Sequence, residues 1–187
     1  MSMLPGETEV QIPVSVEQAE LRKAATTFNE VAETRGWISS SNGLFDLARI
    51  LVDGQSADDN ASGPSYVELI GVHDRPNADI MRTLEADAYD AARILSMVTS
   101  QANIFLDLER SPNQRTARTD LMDFERTLVN AQKVRRTFIQ AAASTGVMLA
   151  PSTEAAFEKF DKEIDAARIV ANRLATEYSA RTEELIS

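Results

Sequence analysis

The chain has 187 residues, 43% of them hydrophobic and 26% charged, a balance that suits one globular domain with a sizeable core. Acidic residues outnumber basic ones 29 to 19, giving a formal net charge of −10, which argues against nucleic acid and anionic membrane surfaces as partners. Cysteine is absent, so disulfides and thiolate chemistry are excluded.

Residues 1–14 read as an extended N-terminal lead. Pro5 and Pro13 forbid an early helix, and Val10, Ile12 and Val14 alternate. This stretch lacks the basic start and apolar middle of a secretory signal, so a cytoplasmic location is expected. No apolar run approaches the roughly 18 residues of a transmembrane helix. Residues 15–187 read as a single helical-bundle domain with an irregular insertion over 53–76. Ser15 followed by Gln18 fits a capping box, so the first helix starts there and runs to about Arg35, where Gly36 supplies a left-handed stop. Leu21, Ala24, Phe28 and Val31 form its apolar stripe. A turn over Ser39–Gly43 leads to a short apolar helix, Leu44 to Val52, closed by Asp53 and Gly54. Ser56 to Ser65 is polar, and Tyr66 to Val72 is apolar but too short to assign to helix or strand. Trp37, Phe45, Tyr66, Leu69 and Ile70 gather at this irregular end. They are the candidate partner-contacting residues, and capping the core is their alternative role.

Three long seams follow. Met81, Leu84, Ala88, Ala91, Leu95, Val98, Ala102 and Phe105 alternate in steps of three and four without a miss. Ala117, Leu121, Phe124, Leu128 and Ala131 continue through Arg135, which is out of type, to Phe138 and Ala142. Phe157, Phe160, Ile164, Ala167, Ala171, Leu174 and Tyr178 make the third. A mean step of 3.5 is the period of helices packed at a shallow angle. The helices are expected over Asn77 to about Arg110, from the Ser111-Pro112 start to about Thr145 before Gly146, and over Ser152 to about Leu185. Each is about 50 Å long at 1.5 Å per residue.

The expected fold class is therefore all-α. It is an antiparallel bundle of four helices, three long ones of about 33 residues each and a shorter first one, with a short extra helix and an irregular loop. Folding about Met148 sets Phe138 beside Phe160. That fold also sets Ala131 beside Ala167, and folding about Ser111 sets Ala131 against Ala91 or Ala92. The alanines of three helices thus fall at one level, where a void is avoided if Phe28 enters from the first helix. Folding about Ser111 brings Arg135 near Ala88, with Glu85 and Asp87 in reach. Its stem covers the seam and its head pairs at the rim.

Chemistry is sparse. His73 is the single histidine, followed by Asp74, and no serine or cysteine nucleophile stands at signature spacing, so it reads as a loop residue before a helix. One histidine also excludes the paired Glu-x-x-His di-iron arrangement. Glu30 and Glu33, with Asp87 and Asp90, have the spacing that all-helical magnesium pyrophosphohydrolases use, but a solvated acidic face is the commoner source of such spacings. No phosphate loop, zinc set or nucleophile elbow is present, so no catalytic residue, metal ligand or cofactor is assigned. The expectation is a non-enzymatic interaction or assembly protein that contacts protein partners, most simply further copies of itself. The alternatives are an acidic neutraliser, of immunity type, or chaperone of a basic protein, and a magnesium-dependent nucleotide pyrophosphohydrolase.

Overall fold

The computed structural model describes residues 16–38, 64–107 and 114–186. The N-terminal lead, the short helix expected over 44–52, Phe45 and the turn at Ser111 lie outside them. Every regular element among the described residues is a helix, with no strand: α1 (Val16–Thr34), α2 (Tyr66–Leu69), α3 (Asn77–Asp107), α4 (Gln114–Ser144) and α5 (Pro151–Ile186). None of these helices is long and apolar enough to cross a membrane. The all-helical bundle expected from the seams is what the chain forms.

Local chemistry sets the helix ends. Gly36 takes φ +70°, the left-handed conformation that an L side chain resists, and the Trp37 N–H bonds back to the Ala32 carbonyl at 2.9 Å. A Cβ at residue 36 would also fall inside contact distance of Leu69 Cδ1. This turn drives Trp37 from the end of α1 into the core. The stretch Tyr66–Val72, ambiguous in sequence, begins as a helix because Ser65 and Glu68 form a capping box. The Ser65 N–H donates to the Glu68 carboxylate at 2.7 Å, and the Glu68 N–H donates to Ser65 Oγ. The Ser65 N–H, and after it the Ser65 hydroxyl, which also donates to this carboxylate, hold the Glu68 carboxyl below its ordinary range. α5 begins on Pro151, whose missing N–H costs nothing at a first helical position.

Cross-helix hydrogen bonds give the register. Thr127 Oγ1 donates to the Ala25 carbonyl, Asn130 Nδ2 to Asn29 Oδ1 at 2.9 Å, and Thr137 Oγ1 to the Trp37 carbonyl. The numbers rise together, so α1 and α4 run parallel. Thr153 reaching Met81 and Arg173 reaching Asn103 make α3 and α5 parallel in the same way. Arg135 pairing with Asp161, and Phe138 with Phe157, make α4 and α5 antiparallel. α3 packs most closely on α5, and less on α4, which it faces across the core.

The seam residues fill one core. Leu84, Ala88, Ala91, Leu95, Phe124, Ala131, Phe138, Phe160 and Ala167 are all fully buried, and Phe28 joins them. Asn130 and Thr127 donate to Asn29 and to the Ala25 carbonyl, so Phe28 sits near the level of Asn130 and Ala131. Phe138 lies 6.1 Å from Phe160, as the fold about Met148 requires, and also 5.5 Å from Trp37 and from Tyr66.

Candidate functional site

The densest polar constellation lies where α1 ends, α2 begins and α3 passes. Arg35, just past α1, donates from Nη1 to Asp87 Oδ1 at 2.8 Å, and from Nη2 to Asp90. The Tyr66 hydroxyl donates to the other Asp87 oxygen at 2.6 Å. Arg93 closes the chain by donating to Asp90 at 2.8 Å. Arg35 also lies over the Trp37 ring, 5.5 Å from its centroid. Both Asp87 oxygens are therefore bound, and Asp87 and Tyr66 are buried. The network ties three segments that are distant in sequence, and each buried polar group in it has a partner.

Asp87 and Asp90, whose spacing raised the magnesium alternative, thus face a guanidinium. Glu30 and Glu33 are exposed on α1. Among the described residues, no group of three or more histidines or carboxylates converges to hold a metal ion. His73 is exposed in the turn before α3.

Burial, and then the adjacent Asp87 charge and its hydrogen bond, push the Tyr66 hydroxyl far above the ordinary value of 10.0. The folded state therefore keeps the phenol protonated where the unfolded state releases it. This stabilisation is complete below about pH 10 and is lost as pH rises beyond it. Urea midpoints measured between about pH 9 and 11 should fall more steeply for the wild type than for Tyr66→Phe. Parallel curves would refute the assignment.

Arg135 corrects a sequence expectation. Its partner is not Glu85 or Asp87 but Asp161 of α5, bound through Nε at 2.7 Å and Nη2 at 2.8 Å. The reason is topological: α4 lies beside α5, while Glu85 accepts from Ser152 and Asp87 is held by Arg35 and Tyr66. The guanidinium carbon lies 4.5 Å from the Phe157 ring centroid, a cation–π contact, and Nη1 is buried without a hydrogen bond. The stem over the seam with its head paired at the rim is what the chain has.

Of the candidate partner residues, Trp37, Tyr66 and Ile70 are buried and cap the core, whereas Leu69 is 52% exposed. Phe45 lies outside the described residues. Sequence reasoning did not single out a different surface. At α3 positions from Ile80 to Ile104, the exposed residues are Arg82, Ala86, Tyr89, Arg93, Met97, Ser100 and Ile104. They repeat in steps of three and four on the face opposite the core seam, and that spacing was the available signal. Around Tyr89, Arg93 and Met97 lies a shallow depression of about 880 Å³, flanked by Lys23 of α1 and Lys159 of α5. Large apolar side chains standing together on a surface mark contact sites more often than isolated ones do.

Comparison with protein-family models, curated proteins and solved structures gives no match to this chain.

Proposed function

We propose that this chain is a non-enzymatic helical-bundle protein that works by protein contact, as a self-associating assembly subunit. The observation that carries the reading is the outward face of α3. Met97 is 57% exposed, Ile104 52% and Tyr89 40%, on a helix whose opposite face already fills the core. Exposing this much apolar surface on one rigid helix is costly unless another chain covers it. The carboxylates exposed on α1 and α5 favour solubility and oppose non-specific association, and the exposed positions of α3 between Ile80 and Ile104 carry none.

Sedimentation velocity between about 1 and 100 µM tests this, because self-association is concentration-dependent. The expected result is a species of at least twice the 20.6 kDa chain mass at the upper end. A single monomeric boundary throughout would refute it. The net charge of −10 favours a second reading, an acidic neutraliser or chaperone of a basic protein. Under that reading the chain stays monomeric alone and forms a salt-sensitive complex with its basic partner.

A further inference from the structure

We infer that the outward face of α3 is a two-fold contact with a second copy of this chain, the two α3 helices running antiparallel about a point between Ser96 and Met97. The inference rests on the self-association proposed above and names its surface and symmetry.

Charge gives the first argument. Two chains of net charge −10 repel, so a stable contact between them has to exclude carboxylates. The exposed positions of the other long helices carry them: Glu30 and Glu33 on α1, Glu125 on α4, Glu154, Glu158 and Asp165 on α5. Between Ile80 and Ile104, the exposed positions of α3 carry none. Of the half-buried acids nearby, Glu85 is engaged by Ser152 and Asp90 by Arg35 and Arg93, while Glu163 of α5 stands on the wall of the flanking depression together with Lys23 and Lys159. Arg93 is thereby neutralised in its own chain and brings little repulsion to the contact.

The order of side chains gives the second argument. An antiparallel two-fold axis centred between residues 96 and 97 sets each residue opposite the one at the mirrored distance. Tyr89 then faces Ile104 of the second copy, Arg93 faces Ser100, and Met97 faces Ser96. Two large apolar groups meet at each end, and a long side chain meets a serine at each inner position. That is the self-complementarity an isologous interface requires. A parallel pairing instead sets Arg93 against Arg93 and serine against serine. The stretch that this register pairs, Tyr89 to Ile104, is about 22 Å long at 1.5 Å per residue. A standard interface covers about 800 Å² per partner, more than one helix face supplies, so the flanking depression contributes. Lys23 and Lys159 stand on its walls, where their ammonium groups stay in water.

The absence of cysteine makes the test direct, because a single introduced thiol has no native competitor. Under mild oxidation, Met97→Cys should form a disulfide-linked dimer, as should a mixture of Tyr89→Cys and Ile104→Cys chains. Ile104→Cys alone should not, since the two copies of that residue lie about 22 Å apart along the axis. Ile169→Cys, exposed on α5, should not either. Met97→Glu, at a position that leaves the core untouched, should keep its helical circular dichroism and weaken dimerisation at least tenfold. Higher salt should strengthen the native dimer by screening its net charge. Dimers that persist in Met97→Glu, or that cross-link through Ile169→Cys, overturn this inference and leave self-association standing. A chain that is monomeric throughout overturns both.

Discussion

Replacing Phe138 with alanine is expected to cost about 3–5 kcal/mol, the largest single-residue effect in the bundle. Phe138 is fully buried and is the one ring that touches Trp37, Tyr66, Phe157 and Phe160, at centroid separations of 5.5 to 6.2 Å. Its removal therefore withdraws packing from the end of α1, from α2 and from α5 together. Four surrounding rings are too rigid to collapse into the space, which puts the cost at the upper end for such substitutions. At about 2–4 °C per kcal/mol for a chain of this size, the melting temperature should fall by about 10 °C or more. Thermal denaturation followed by circular dichroism measures it. A drop under about 3 °C would mean that this cluster is not packed as described.

The second large effect is at Asp87. Asp87→Ala leaves the buried Tyr66 hydroxyl without its acceptor and leaves Arg35 with Asp90 alone. Breaking a fully buried pair costs about 3–5 kcal/mol. The Arg35 side chain is 41% exposed, however, and water can solvate it after the loss, so about 2–4 kcal/mol is expected here. The hydroxyl, not the guanidinium, carries most of that penalty. Adding Tyr66→Phe removes the stranded hydroxyl, so the double variant should be more stable than additivity predicts by about 1 kcal/mol or more. Denaturant titration of the four proteins decides the point. Strict additivity would show that the two side chains do not interact.

Much of the fold was legible because burial in long helices writes a period into the sequence. The stops of α1 at Gly36 and of α4 at Gly146 follow from glycine's tolerance of positive φ, and both glycines take it, at +70° and +68°. The Phe138–Phe160 neighbourhood was legible because a short return between two long helices fixes which residues face each other. Arg135 was misplaced for the matching reason. A hairpin about Ser111 makes α3 and α4 consecutive, but nothing in their spacing says whether they lie side by side or across the core. The Arg35–Asp87–Tyr66 network was hidden more completely, since its members are 52 and 21 residues apart and share no local pattern. Asp87 and Asp90 were visible as a pair of acids, and the cation between them was not.

Residue order alone fixes that this protein is a bundle of long helices, which stripe of each is buried, and, among the described residues, where α1 and α4 stop. Those properties depend on residues within one or two turns of each other, through hydrophobic period, capping and glycine dihedrals. Tertiary structure alone decided which helices are neighbours, that α3 lies parallel to α5 and α1 to α4, and which acid each arginine holds. It also decided which exposed residues share a face. Those outcomes turn on how whole stripes interlock in space, and a one-dimensional period is the same for every arrangement that buries it.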